Sequence, residues 1–121
     1  MGKLTTHVLD TAHGCPAAGM ALELFRLPDT PDVPTARQQL YSGRTNADGR
    51  CDQPLLADEA LLTGGYELCF EVADYFAAYP ESPAEPFLRQ VTLRFYVSDA
   101  DKHYHVPLLV SPWAYSTYRG S

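Results

Sequence analysis

Hydrophobic and polar residues alternate along several stretches of the chain, and a period of two is typical of β-strands. Residues 66–72 show it best. One face would carry only apolar side chains, namely Tyr66, Leu68, Phe70 and Val72, and the other Glu67, Cys69 and Glu71. Residues 91–97 repeat the pattern, and residues 20–27 show a weaker version of it. The alternation predicts half-buried strands at these three places.

Four further stretches are long strand candidates, at residues 4–10, 37–45, 103–110 and 113–118, and a short strand is expected after Arg50. Turn signals separate the runs. Asp48-Gly49 is a tight-turn dipeptide, Ser111-Pro112 leaves room for a hairpin, and the proline-rich stretch 28–34 predicts a loop. Seven or eight short strands with regular turns predict a β-sandwich.

One segment breaks the pattern. Residues 73–79 lack alternation, and Asp74 is placed to cap a short helix there. The prolines at positions 80, 83 and 86 forbid a longer helix. We therefore expect an all-β fold with one short helix. The length of 121 residues, without repeats or a linker in the sequence, favours a single domain over residues 1–121.

Composition excludes several classes of protein. The chain is 45% hydrophobic and 20% charged, which is enough to bury a core, and its net charge of −6 argues against nucleic-acid binding. No apolar run approaches the ~20 residues of a membrane span, and residues 1–10 alternate instead of forming a signal-peptide core. Cys15, Cys51 and Cys69 form no CxxC pair and are expected to be reduced thiols. We expect a cytoplasmic protein without nucleic-acid or membrane partners.

Strand parity places three histidines away from the core. In residues 103–110 the apolar face would hold Val106, Leu108 and Val110, so that His103 and His105 take the opposite face with Leu109. His7 and Leu9 point outward in the same way from residues 4–10. Exposed surface histidines would explain this, but the leucines on the same faces favour a subunit interface or a binding groove. His-x-His with His7 could also bind zinc, although no cysteine or carboxylate completes such a site.

Two further features carry candidate chemistry. Arg50 follows the tight turn and is either a surface arginine or a donor fork for an anionic, planar substrate. The chain finishes with Tyr118-Arg119-Gly120-Ser121, without a polar tail. A chain end usually frays, so this ending is either unremarkable or packed against the fold.

These motifs together resemble the transthyretin-like 5-hydroxyisourate hydrolases. The similarity covers almost the whole chain, with matching stretches at residues 6–10, 45–50, 65–76, 103–112 and 115–121, and with Gly14, Pro16, Ala17 and Ala18. Its most specific element is the terminal Tyr-Arg-Gly-Ser, which separates the hydrolases from the hormone-carrying transthyretins. Residues 27–39 diverge, and nothing catalytic is expected there.

The resemblance implies a β-sandwich of two four-stranded sheets and a homotetramer, with sites in a channel between paired dimers. The residues implied in catalysis are His7, Arg50, His105 and Ser121. His7, Arg50 and His105 would also bind substrate, together with Tyr118, Gly120 and Ser121, whereas His103 would be a neighbour. The implied reaction opens the lactam of 5-hydroxyisourate during urate breakdown, and it needs no metal or organic cofactor because the lactam is already activated.

Two other functions remain open at this point. One is a transthyretin-type carrier of an aromatic ligand, such as a thyroid-hormone-like molecule. The other is an immunoglobulin-like interaction module. A carrier channel favours small and apolar residues, whereas this one would hold histidines, an arginine and a tyrosine.

Overall fold

A computed structural model describes residues 1–29 and 37–121, so the predicted loop at 28–34 lies mostly outside the described residues. The described part is mostly β-structure, with one short α-helix, α1 (Val72–Phe76), and one 3₁₀ turn at Asp58–Ala60. Its strands are β1 (Lys3–Thr5), β2 (Val8–Asp10), β3 (Cys15–Pro16), β4 (Ala21–Arg26), β5 (Gln38–Arg44), β6 (Leu56–Ala57), β7 (Gly64–Glu71), β8 (Gln90–Val97), β9 (Tyr104–His105), β10 (Leu108–Val110) and β11 (Tyr115–Ser116).

The first sheet is antiparallel throughout and has the order β5-β4-β7-β8. The strands predicted around 20–27, 66–72 and 91–97 are all present. The expectation of a half-buried β7 is wrong, because Glu67 is only 7% exposed on the outer face. Arg37 and Arg94 donate hydrogen bonds to its carboxylate at 3.1 and 2.6 Å, and they cover this part of the strand.

The second layer contains two sheets where a single four-stranded sheet was expected. Their orders are β6-β1-β9 and β11-β10-β2-β3. The two parallel ladders share one register, because Leu4 lies opposite Tyr104 and Val8 lies opposite Leu108. The ladder is interrupted between β1 and β2, where the Thr6 hydroxyl donates to the Val106 carbonyl at 2.7 Å. The prediction of two four-stranded sheets is therefore corrected to three sheets, two of which continue each other.

The hydrophobic core lies between these layers and joins buried residues of both. Leu4, Val8 and Leu108 from one side belong to the same cluster as Leu68 and Phe70 from the other. Most of the outward-facing residues between them are only partly buried, namely Thr5, His7, Leu9, His105 and Leu109, whereas Pro107 on the same face is buried. The predicted parity of residues 4–10 and 103–110 is confirmed, and both histidines lie off the core face.

Two local predictions need correction. The helix ends at Phe76, and Asp74 lies in its first turn, whereas Glu71 precedes the helix without a side-chain capping bond. Val72 and Phe76, one turn apart, are both buried, so packing rather than a cap holds this short helix in place. No strand directly follows Arg50, which makes a single bridge to His7, and the next strand is β6. No helix of the described residues is long and apolar enough to cross a membrane.

A polar cluster ties the end of β2 to α1 and to the segment after it. The Asp10 carboxylate is buried and accepts hydrogen bonds from His13 Nδ1 and the Tyr75 hydroxyl, both at 2.7 Å. His13 Nε2 lies 2.6 Å from the Glu81 carboxylate. Hydrogen bonds to Glu81 and then to Asp10 raise the pKa of His13, and the bond to His13 lowers the pKa of Glu81.

The stabilisation contributed by His13 should therefore depend on pH. Because its folded pKa is raised, the contribution is complete below about pH 6.5 and disappears as the pH rises through the folded pKa. The contribution of Glu81 disappears at the acid end, as the pH falls through its lowered pKa. The difference in Tm between the wild type and His13→Gln should shrink from about pH 6 to about pH 9. His103→Gln, which replaces an exposed histidine, is the control. A His13→Gln Tm difference that is equal at the two pH values would contradict the raised pKa of His13.

Candidate functional site

The outward face of the second layer carries the candidate site, and the strand register arranges its side chains in rows. Thr5 lies opposite His105 in the parallel ladder, and His105 lies opposite Gly120 in an antiparallel bridge. Four residues along the same antiparallel register, Leu109 lies opposite Ser116. Residues opposite one another in a ladder share a face. One row is therefore Thr5, His105 and Gly120, and another is Leu9, Leu109 and Ser116.

The row between these two contains His7. Arg50 lies opposite His7 on one side, through an isolated bridge. On the other side the shared registers place Pro107 next to His7 and Tyr118 next to Pro107. His7 and His105 are thus diagonal neighbours on adjacent strands. The structure brings the predicted residues His7, Arg50, His105, Tyr118 and Gly120 onto one face, although they come from three distant parts of the chain.

The tight turn before Arg50 is built into the sheet. The Asn46 side-chain carbonyl accepts hydrogen bonds from the N–H groups of Asp48 and Arg50, at 2.9 and 3.1 Å. Gly49 has a φ of 75°, a conformation that is strained for residues with a side chain. Its carbonyl accepts the Val8 N–H at 2.8 Å. The turn is therefore fixed against β2, and it fixes the backbone position from which the Arg50 side chain extends.

This turn also orients His7. The Nε2 atom of His7 lies 2.9 Å from the Asp48 carbonyl oxygen. A carbonyl only accepts hydrogen bonds, so Nε2 must carry the proton. In the neutral ring the free lone pair then belongs to Nδ1.

His105 has a different environment. Its Nδ1 atom lies 2.9 Å from the Thr5 hydroxyl oxygen. Partial burial lowers the pKa of His105, and the nearby charges of Arg50 and His7 lower it further. The imidazole is therefore neutral and able to accept a proton at neutral pH.

Residues 115–120 extend the sheet beyond β11 and pack as a strand along β10 and β9. The Thr117 hydroxyl donates to the Pro107 carbonyl at 2.7 Å, and Gly120 exchanges two backbone hydrogen bonds with His105, at 2.7 and 3.1 Å. The Arg119 guanidinium lies over the Tyr104 ring at 4.4 Å and donates to the His103 carbonyl. The terminal motif is therefore anchored to the strand that carries His105.

The remaining predicted residues are more open. Tyr118 is 60% exposed, and Arg50, His103 and Ser121 are also exposed. A small cavity of about 160 Å³ adjoins Arg50 and is lined by Thr5, Thr6 and residues 51–54 as well. The face thus offers two imidazoles, a guanidinium and a phenol to a ligand from the side away from the core.

Metal binding is a separate question. Among residues 1–29 and 37–121, no group of three or more His, Cys, Asp or Glu side chains has an arrangement that could hold a metal ion. Cys15, Cys51 and Cys69 are all free thiols.

Two groups at this site, Thr5 and the carbonyl of Asp48, were not predicted from the sequence. Thr5 has the same outward parity as His7, which is the only signal that could have indicated it. Its partner His105 is 100 residues away, so no local pattern connects them. The Asp48 carbonyl is backbone, and residue type carries no signal for it.

The profile of the HIUase/Transthyretin family matches residues 4–120. A 5-hydroxyisourate hydrolase of Ralstonia nicotianae is 58% identical over 122 residues, which cover 100% of both chains. A 5-hydroxyisourate hydrolase of Pseudomonas aeruginosa is 52% identical, over 100% of this chain and 93% of its own. One from Mus musculus is 43% identical over 98% and 94%.

Solved structures give the same picture. The 5-hydroxyisourate hydrolase of Klebsiella pneumoniae superposes with a TM-score of 0.78 at 31% identity, over 100% of both chains. An (S)-allantoin synthase superposes with a TM-score of 0.89 at 45% identity; the similarity covers 99% of this chain and 44% of that one. Sea bream transthyretin in complex with thyroxine has a TM-score of 0.83 at 24% identity, over 98% and 94%, which shows a shared fold.

Proposed function

Because the chain belongs to the HIUase/Transthyretin family, we infer that it hydrolyses 5-hydroxyisourate. Its full-length relatives at 52–58% identity are 5-hydroxyisourate hydrolases. The observation that carries the inference is the outward face itself. Arg50 lies beside His7, Gly120 lies beside His105, and Tyr118 lies in the row of His7 beyond Pro107. That set of groups suits an acyl-transfer reaction on a polar heterocycle better than the binding of an apolar ligand.

The reaction adds one water molecule across the lactam C–N bond. Water attacks a ring carbonyl, the C–N bond breaks, and the carbonyl carbon becomes a carboxylate in 2-oxo-4-hydroxy-4-carboxy-5-ureidoimidazoline. Three tasks follow from this chemistry: a base takes a proton from water, a cation stabilises the oxyanion, and an acid protonates the leaving nitrogen.

The residues of the face divide between these tasks. His105 or His7 activates water, since each ring has one nitrogen that is free of the protein contacts described above. Arg50 holds the oxygen-rich ring and stabilises the developing negative charge. Tyr118, Gly120 and Ser121 line the pocket, and the hydroxyl groups of Tyr118 and Ser121 offer hydrogen bonds to the substrate.

The face is open in one chain, and this supports a site completed by further copies. Leu9 and Leu109 lie partly exposed on the same face as the histidines. A homotetramer with a channel between two dimers would cover them. That residues 1–121 form one domain, and that the protein is cytoplasmic, remain predictions from the sequence.

The activity has a direct test. Ultraviolet decay of 5-hydroxyisourate, made freshly by urate oxidase, is followed with and without the protein, and the protein should accelerate it. An unchanged spontaneous rate would sink the hydrolase proposal. Light scattering on the same sample tests the tetramer, and a monomer that is fully active would contradict a site shared between subunits.

The carrier alternative is less well supported. The similarity to sea bream transthyretin is at 24% identity and concerns the fold alone, whereas the relatives at 43–58% identity are hydrolases. If this protein bound thyroxine and did not hydrolyse 5-hydroxyisourate, the carrier function would be the better supported one.

Gly120 offers a sharper test of the site. A β-carbon at this position would lie 3.0 Å from His105 Cβ and 3.2 Å from Cδ2, so the imidazole would have to move by a few tenths of an ångström. Gly120→Ala is therefore expected to lower kcat by about 3- to 10-fold, because catalytic groups tolerate little displacement. Gly65→Ala is a matched control, because Gly65 lies in β7 of the first sheet. The atoms nearest to its new methyl group belong to Leu27, at 3.3 Å and beyond. Equal kcat for the two variants would remove Gly120 from the site.

A further inference from the structure

Thr5 is the outward-facing residue beside His105 that the proposed reaction leaves without a task. It is partly buried, and its hydroxyl oxygen lies 2.9 Å from Nδ1 of His105. The backbone of Thr5 is also held beside the strand that carries His105, because the Thr5 carbonyl accepts the Val106 N–H at 2.9 Å. The hydroxyl therefore meets the imidazole from a fixed position in the sheet.

The other edge of the ring is occupied by Gly120. The space beside Gly120 is filled by Cβ, Cγ and Cδ2 of His105, and Cδ2 lies on the edge of the ring opposite Nδ1. Thr5 and Gly120 thus hold the imidazole between them along one row of the sheet. The outer end of the ring, which includes Nε2, is the part left to meet a substrate.

We propose that Thr5 is a positioning residue, which accepts a hydrogen bond from Nδ1–H of His105 and so leaves Nε2 as the nitrogen that exchanges protons with the substrate. This rests on the proposed function, with His105 as the base. A proton passes from water to Nε2 and then from Nε2 to the leaving ring nitrogen. The Nδ1–H bond to Thr5 is kept through both transfers, so the ring does not have to turn.

The choice of a hydroxyl as partner has a chemical reason, and His13 of the same chain illustrates it. His13 is bound by the carboxylates of Asp10 and Glu81, and its pKa is raised. A carboxylate orients an imidazole but also favours its charged form. The neutral Thr5 hydroxyl orients His105, whose pKa is lowered by burial, Arg50 and His7. The ring is thus oriented and still uncharged at neutral pH.

The test compares Thr5→Val, which keeps the side-chain shape but removes the hydroxyl, with Thr5→Ser, which keeps the hydroxyl. Thr45→Val is the matched control. Thr45 is buried and its hydroxyl donates to the Ala17 carbonyl at 2.6 Å, so its replacement reports how the loss of a buried threonine hydroxyl affects stability. The kcat and KM of each variant are measured across pH, and ¹⁵N NMR identifies the protonated nitrogen of His105.

Thr5→Val should lower kcat by about 10- to 100-fold with little change in KM, as loss of a partner that orients a reacting group does elsewhere. Thr5→Ser should recover most of the rate, and Thr45→Val should lower Tm without changing the pH profile. In the wild type, neutral His105 should carry its proton on Nδ1.

Two results would overturn the proposal. One is wild-type kcat in a folded Thr5→Val variant. The other is a wild-type His105 protonated on Nε2, which would mean that Thr5 donates to Nδ1. Failure of the proposed function looks different: a wild type that leaves 5-hydroxyisourate unhydrolysed, but whose His105 tautomer depends on Thr5, would keep the positioning and remove the reaction.

Discussion

Replacing His105 with glutamine is expected to lower kcat for 5-hydroxyisourate by about 100- to 10,000-fold, the range that a general base or acid contributes. Glutamine keeps a polar group of similar reach but cannot exchange a proton at neutral pH. The backbone bonds between His105 and Gly120 do not depend on the side chain, so residues 115–120 should remain in place. The rate of ultraviolet decay under saturating substrate measures the effect.

The control is His103→Gln, because His103 is an exposed histidine two residues earlier on the same face. Its kcat should match the wild type. His7→Gln completes the series, and its pH profile beside that of His105→Gln separates the two rings. If His105→Gln kept the acid limb of its pH–rate profile and more than a tenth of the wild-type activity, the base would have to be His7.

Replacing Arg50 with glutamine is expected to lower kcat by about 100- to 1000-fold, as loss of one oxyanion donor typically does. A second effect follows from electrostatics. The charge of Arg50 is one cause of the lowered pKa of His105, so its removal should move that pKa upward towards 6.5. His105 accepts a proton only when neutral, and the acid limb of kcat/KM should therefore shift to higher pH in the variant.

Arg44→Gln is the matched control for this charge. Arg44 is an exposed arginine of β5 that donates to the Gly19 carbonyl at 3.1 Å, away from the histidines. It should change neither the rate nor the pH profile. A lower rate in Arg50→Gln with an unmoved acid limb would mean that the limb reports a group other than His105.

Strand parity was the most reliable guide that the sequence offered. Alternation of apolar residues depends on burial alone, and it placed His7 and His105 on the outer face before any partner strand was known. It failed at Glu67, because two arginines from elsewhere in the chain bury that carboxylate. It also missed the interruption between β1 and β2, since the Thr6 hydroxyl that donates to the Val106 carbonyl there reaches a residue 100 positions away.

The assembly of the site was out of reach of local patterns. The contact between Thr5 and His105 spans 100 residues, and that between His7 and Asp48 spans 41. Such contacts are set by sheet topology, which the periodicity of a single stretch does not encode. The resemblance supplied His7, Arg50, His105 and the terminal motif as a set, but not the hydrogen bonds that orient the two rings. Asp74 was misjudged because Val72 is buried and begins the helix one turn earlier than a side-chain cap would.

The parallel ladder that joins β1 and β2 to β9 and β10 also bears on how the protein folds. Its partners are about a hundred residues apart in the chain, and closing so long a loop costs entropy before any contact rewards it. During synthesis, the strand that carries His7 is made early, and roughly a hundred further residues must leave the ribosome before its partner appears. Until then one edge of β1 and β2 stays unpaired, in the state most prone to aggregate. The reactive face is therefore among the last parts of the molecule to form, and recovery of activity on refolding should lag behind the appearance of β-structure.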